Sequence, residues 1–184
     1  MRIVSGKHRG RTLSAPKSQA IRPTADRLRE SLFNILAHGY DDPITGGRVL
    51  DLFAGTGALG LEALSRGAAY ALFVEEAVEA RGLIRQNVEA LGLTGRTRVF
   101  RRDATRPGPA GTIAPFGLVF ADPPYRQGLG ELALASARAG GWLRPGALAV
   151  LEEDEKAEIG VIEGFEQVDR RVVGDSQLVF LQGR

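Results

Sequence analysis

A chain of 184 residues, 43% hydrophobic and 25% charged, has the length and composition of one domain with its own core. Cysteine is absent and the two histidines, His8 and His38, lie far apart, which excludes disulfides, thiolate nucleophiles and cysteine-ligated metals and argues against a histidine metal site or triad, so no metal ligand is expected. The net charge of +2 hides an uneven distribution: eight cations stand against two anions through Asn34, and nine anions against four cations from Leu151 onward.

No apolar run approaches the roughly 20 residues of a membrane span. Residues 1–6 carry no apolar signal core, so a cytoplasmic protein without membrane association is expected.

Taken in order, residues 2–5 and 11–13 read as short strands around Gly6-Lys7-His8-Arg9-Gly10, a hairpin with a basic tip. A loop bounded by Pro16 and Pro23 follows. Thr24 then suits the N-cap of a helix in which Arg27, Leu28, Ser31, Leu32, Ile35 and Leu36 recur at helical spacing before Gly39. From Gly47 the chain alternates. Strands are expected at 48–52, 70–74, 97–100, 116–121 and 147–151, with helices at 58–66, 77–91 and 130–139 between them. Residues 165–173 and 177–181 read as a closing hairpin around Gly174-Asp175. Strands separated by helices imply a doubly wound, mostly parallel α/β sheet with right-handed crossovers and an antiparallel C-terminal strand. The basic hairpin and first helix, residues 1–40, would extend a core of residues 47–184 within a single domain.

The first chemical motif is Asp51-Leu52-Phe53-Ala54-Gly55-Thr56-Gly57-Ala58-Leu59-Gly60, a strand end, a glycine turn and a helix start. Glycines let backbone approach a ligand, and the helix start offers N–H groups. Gly55-x-Gly57-x-x-Gly60 also fits a dinucleotide fingerprint, with Glu75 at a suitable distance for a ribose. Asp51 separates the two readings. A pyrophosphate gains nothing from a carboxylate at its site, whereas a cofactor bearing an amino group and a sulfonium does. The pattern resembles motif I of class I S-adenosylmethionine (SAM) methyltransferases.

The second motif, Asp122-Pro123-Pro124-Tyr125, directly follows the apolar strand at 116–121. In open α/β sheets ligands bind at the carboxyl ends of strands. Two prolines remove two N–H donors and leave carbonyls beside a carboxylate, an acceptor-rich pocket suited to an amino group. Tyr125 offers a flat face for a base. The bland alternative is a Pro-Pro turn capped by an acid.

Asp122-Pro123-Pro124-Tyr125 resembles motif IV of methyltransferases that modify exocyclic amines of nucleobases. Together with Ile3-Val4-Ser5-Gly6, with Arg9-Gly10-Arg11-Thr12-Leu13, and with the run from Arg22-Pro23-Thr24 to Asn34-Ile35-Leu36, it makes nearly the whole chain similar to the RsmD family, which methylates N2 of one guanine in bacterial 16S ribosomal RNA. Ala25 stands where that family commonly has a second Thr, and Glu75-Glu76 where it has Glu-x-Asp. The resemblance implies a Rossmann-like sheet and SAM as cofactor. Gly55 and Gly57 would admit the methionine part, lined by Ala54 and Thr56, and Asp51 would receive its amino group, directly or through water. Glu75, with Glu76 as the alternative, would take the ribose, and Asp103, beside Ala104, the adenine amino group. Asp122 and the Pro123 carbonyl, on a loop stiffened by Pro124, would hold the target amine against which Tyr125 stacks. Lys7, Arg9, Arg11, Arg22, Arg27 and Arg29 would hold RNA phosphates, unless the arginines pair instead with Asp26 or Glu30. The expected partner is 16S ribosomal RNA, naked or in a small-subunit assembly particle, bound by a monomer. Two other activities compete: a DNA adenine-N6 methyltransferase, for which no separate target-recognition domain is visible, and an NAD-dependent oxidoreductase, which leaves the Asp-Pro-Pro-Tyr motif without a role. A catalytically silent RNA-binding module would waste both motifs.

Overall fold

A computed structural model describes residues 1–17 and 23–184. Among these residues the order is α1 (Pro23–Gly39), β1 (Arg48–Leu52), α2 (Ala58–Ser65), β2 (Tyr70–Val74), α3 (Val78–Ala90), a 3-10 turn (Thr94–Arg96), β3 (Thr97–Phe100), β4 (Phe116–Ala121), α4 (Leu129–Ala139), β5 (Leu143–Asp154), β6 (Phe165–Val173) and β7 (Ser176–Gly183). The strands form one sheet of order β3-β2-β1-β4-β5-β7-β6. The first five run parallel, and β7 lies antiparallel between β5 and β6. No helix among the described residues is long and apolar enough to cross a membrane.

Central strands covered on both faces must be apolar at consecutive positions. Val49, Phe73, Leu118, Phe120 and Val150 face a core shared with α2, α3 and the buried side of α1 (Leu28, Leu32, Phe33, Leu36). Leu50, Leu72, Val119, Ala121 and Leu151 face the opposite core with α4 and Trp142. Ile3 and Leu13 belong to the first core, so the N-terminal segment shares the interior of the sheet. It is fastened there by polar groups as well. The wholly buried Glu62 of α2 accepts the Val4 N–H at 2.8 Å. Asn87 of α3 accepts the Ser14 N–H at 2.6 Å and donates to the carbonyls of Ser14 and Thr56 at 3.1 and 3.0 Å. Gly6 passes so close to α2 that a Cβ there would overlap the Ser65 carbonyl.

Three expectations change. The N-terminal hairpin is a turn closed by a single bridge, Arg2 to Thr12, because its residues direct their N–H groups to α2 as well as to each other. The helix start lies at Pro23, one residue before the expected cap, as suits proline's fixed φ in a first turn. Strand β5 extends beyond 147–151 in both directions. Its pairing steps from Phe116↔Leu143 to Leu118↔Leu148, so Pro145 falls in a bulge where its missing N–H breaks no ladder. At its far end, β7 continues pairing to Asp154↔Ser176.

Candidate active site

The glycine turn leaves β1 through residues that need a left-handed backbone. Gly55 and Gly57 have φ of 59° and 82°, and Phe53, a non-glycine, has 56°. Non-glycine residues rarely adopt that region, and such strain clusters at functional sites. Gly60 serves another purpose. A Cβ there would come within 2.5 Å of the Phe73 ring, so this glycine lets α2 lie close on the sheet.

Asp51 is the penultimate residue of β1, only 1% exposed, and its Oδ2 accepts the Gly60 N–H at 3.0 Å. It satisfies the first turn of α2 from beneath, the helix-supporting role of an acid at a helix start. Burial pushes its carboxyl up to about 8, against the pull of the Gly60 N–H, and the charge of Glu75 adds to the rise.

Glu75 directly follows β2. Its Oε1 accepts the Gly55 N–H at 2.9 Å and its Oε2 the Ala77 N–H at 2.9 Å. One carboxylate thus joins the glycine turn to the start of α3. Glu76 is exposed, and its carbonyl receives the Arg81 guanidinium.

The second loop leaves β4 one residue beyond the pair Leu52↔Ala121. Asp122 is exposed while Pro123 is buried. A Cβ on Gly130 would come within 3.2 Å of the Pro123 ring, so the missing side chain lets α4 start against it. The Tyr125 hydroxyl bonds Glu152 Oε1 at 2.7 Å and Ser176 Oγ at 2.8 Å. The residue is 38% exposed, and partial burial together with the Glu152 charge raises the phenol well above its ordinary value. Arg126, at φ 62°, donates its N–H to Glu153 at 2.9 Å and its guanidinium to Asp154 at 2.9 Å.

These loops face one cleft of about 560 Å³, lined by Phe53, Glu75, Asp122, Pro123, Pro124, Tyr125 and Glu152. The two motifs, some 70 residues apart in sequence, therefore meet at the carboxyl ends of the adjacent strands β1 and β4, with Glu75 at the end of β2 on the other side of the glycine turn.

Other expected side chains point elsewhere. Ala54 lies in the first core and Ala104 in the second. The Thr56 hydroxyl turns to the Met1 sulfur at 3.5 Å. Asp103 accepts both the Thr105 N–H and its hydroxyl, at 2.9 and 2.7 Å, which holds its carboxyl below the usual range. These contacts leave the backbone of Ala54, Thr56 and Ala104 and the remaining lone pairs of Asp103 as the groups that could meet a ligand. Arg29 requires a correction. It is 5% exposed and binds Asp26 at 2.7 Å and the Arg2 carbonyl, so it is an internal strut and no phosphate ligand. Lys7, Arg9, Arg11 and Arg27 are exposed, Arg11 reaching the Ala90 carbonyl. Arg9 and Arg27 border a common groove with Asp26 and Glu30. Arg22 lies outside the described residues.

Sequence reasoning gave no role to Phe53, Glu152 or Ser176. Phe53 sat inside the first motif and could have been flagged. Glu152 and Ser176 reach Tyr125 only through the pairing of β5 with β7, which no local pattern announces.

Strand order, the reversed β7 and the glycine turn after β1 define the fold of the class I methyltransferases. A family model described as "Conserved hypothetical protein 95" matches residues 1–182. Ribosomal RNA small subunit methyltransferase D of Escherichia coli K12 is 42% identical over 84% of this chain and 75% of its own length. The solved structure of E. coli yhhF is 36% identical, with a TM-score of 0.82 over 100% of this chain and 98% of that one. A more distant likeness of fold, 22% identical with a TM-score of 0.67, covers 91% of this chain and 45% of the Thermus thermophilus 16S rRNA N2 G1207 methyltransferase RsmC, solved with AdoMet and guanosine. The chain belongs to the RsmD family of ribosomal RNA methyltransferases.

Proposed function

We propose that this chain transfers the methyl group of SAM to the exocyclic N2 of a specific guanine in 16S ribosomal RNA, in the cleft between the glycine turn and the Asp122 loop. The observation that carries the reading is that Glu75 and the Asp122-Pro123-Pro124-Tyr125 loop line the same cleft. The name of the E. coli relative supports the RNA, and the guanosine held by RsmC on the same fold supports the purine.

The residues present fit the cofactor. A Cβ at Gly55 would meet nothing closer than 4.0 Å, so the outer side of the turn is open to a ligand. Glu75 reaches the cleft while holding that turn, and each of its oxygens keeps a lone pair for ribose hydroxyls. Asp51 is too buried to meet the amino group directly. It contributes through water and by holding the first turn of α2 through the Gly60 N–H. When bound, SAM supplies an electrophilic methyl group.

An exocyclic amine conjugated to its ring is a poor nucleophile. Asp122 and the Pro123 carbonyl accept its N–H bonds and aim its lone pair. Negative charge at Asp122 stabilises the cation that develops on the nitrogen, an interaction stronger in the transition state than in the ground state. Asp122 is exposed, so the surplus proton leaves from that side to solvent. Tyr125 stacks on the base after it is drawn from the RNA. Lys7, Arg9, Arg11 and Arg27 hold phosphates, and Arg22 is assigned with them from sequence. On this reading residues 1–40 and 47–184 act as one methyltransferase domain, a cytoplasmic monomer acting on the RNA or on a small-subunit assembly particle.

The test is transfer of labelled methyl from SAM to small-subunit RNA isolated from cells lacking the enzyme, followed by digestion to nucleosides. Label in N2-methylguanosine is expected. Label in N6-methyladenosine would favour the adenine alternative, and absence of transfer to either free RNA or particles would overturn the reading.

A further inference from the structure

Tyr125 is an exposed ring with an unusually well-held hydroxyl. It projects from the loop after β4, yet its oxygen is gripped by two other strands: Glu152 on β5 and Ser176 at the start of β7. A phenol has one proton to give. Donation to the Glu152 carboxylate leaves the phenol oxygen to accept from Ser176, so the chain Ser176 to Tyr125 to Glu152 is satisfied in one direction. The neighbouring backbone is held by the next two acids of the same strand. Glu153 takes the Arg126 N–H, and Asp154 pairs with its guanidinium at 2.9 Å. Three consecutive acids of β5 thereby fix two consecutive residues of the loop, one of them in the left-handed region.

We propose that Glu152 and Ser176 are positioning residues, which lock the Tyr125 ring in the plane that receives the target base. The proposal rests on the reading of this cleft as the methylation site. A ring that merely filled space would be covered by its neighbours. Here the residue lines the cleft at 38% exposure while its hydroxyl is fixed from two strands, the arrangement of a preorganised platform. Misplacement of a positioned base by about 1 Å can cost on the order of 100-fold in rate. The hairpin of β6 and β7 also acquires a role in catalysis, through Ser176 at its turn.

The experiment compares Tyr125→Phe, Tyr125→Ala, Ser176→Ala, Glu152→Ala, Glu152→Gln and the double variant Tyr125→Phe/Glu152→Ala in the full chain. Single-turnover methyl transfer at saturating SAM and RNA is measured beside calorimetric SAM affinity and melting temperature. Tyr125→Phe and Glu152→Ala should each slow transfer on the order of 10-fold, and Ser176→Ala should slow it less. SAM affinity and melting temperature should hold. Glu152→Gln, whose amide oxygen still accepts the phenol proton, should retain most of the rate. The double variant should be no slower than the slower single variant, because both break one bond. A wild-type rate for Tyr125→Phe, or losses that multiply in the double variant, would overturn the positioning role. If Tyr125→Ala is still slow in that case, the stacking reading of the cleft survives; a wild-type rate for Tyr125→Ala would remove that reading as well.

Discussion

The Gly55 N–H donates to Glu75 Oε1 at 2.9 Å, so the acid that follows β2 also holds the turn that follows β1. The shape of the loop therefore depends on one side chain, to which the proposed function also gives the ribose of the cofactor. Glu75→Ala should weaken SAM binding on the order of 10- to 100-fold, the range for losing hydrogen bonds to a charged group. Glu76→Ala should leave it near wild type. Calorimetric titration of both variants checks this, and equal losses would return the two acids to equivalence.

Asp51 gives a pH signature. It ionises near 4 in an unfolded chain and, for lack of water, at about 8 in the folded one. The folded state thus holds this proton more tightly. The contribution to stability is full below about pH 4, falls as pH rises through the window between these values, and is lost above about pH 8. Asp51→Asn keeps an oxygen for the Gly60 N–H and removes the titration. Its stability relative to wild type should therefore climb from about pH 5 to about pH 8 and level off above. Urea unfolding of both proteins without cofactor, at a series of pH values, measures it. Parallel curves would show that Asp51 does not titrate in this window.

The basic residues divide by burial. Arg29→Ala should cost about 1–3 kcal/mol of stability, as for a buried hydrogen-bonded charge, and leave the salt dependence of RNA binding unchanged. The pair Arg9→Ala and Arg27→Ala should change stability little. It should flatten the slope of log affinity against log salt by about 0.7–0.9 for each phosphate no longer neutralised. Unfolding midpoints and filter binding across a salt series separate the two outcomes.

Cofactor choice is checked by melting. A ligand that binds the folded chain alone stabilises it by about 2.7 kcal/mol at a hundred times its Kd. SAM should raise the melting temperature and NAD should not; stabilisation by NAD alone would assign the glycine turn to a dinucleotide.

Most of the sheet was legible because its signals are local. β1 to β4 are bounded by glycine turns or carry near-continuous apolar runs, and their limits coincide with those expected from sequence. What escaped depends on contacts distant in the chain. Strand β5 runs through Pro145 because a bulge opposite Gly117 absorbs it. The expected N-terminal strands gave way to a turn because Glu62, Ser65 and Asn87 take up their backbone groups. Arg29 reads as a basic residue among others until α1 is seen to turn it inward, onto Asp26. In the site, the residues that touch the cleft from within a motif were readable. Glu152 was not, since it arrives from a strand that was expected to end at Leu151 and that lies far in sequence from both motifs.

The central claim is that Asp122 holds the target amine and stabilises the charge formed as the methyl moves. Asp122→Ala removes that charge from an exposed position and spares the glycine turn and Glu75. Asp122→Asn keeps the shape and one accepting oxygen. The deciding measurement is single-turnover methylation of small-subunit RNA by each variant, with SAM affinity measured on the same preparations. A fall in rate on the order of 100-fold or more for Asp122→Ala, somewhat less for Asp122→Asn, with SAM affinity near wild type, is the predicted result. A folded Asp122→Ala protein that turns over at the wild-type rate would contradict the account and leave the Asp-Pro-Pro-Tyr segment a structural turn.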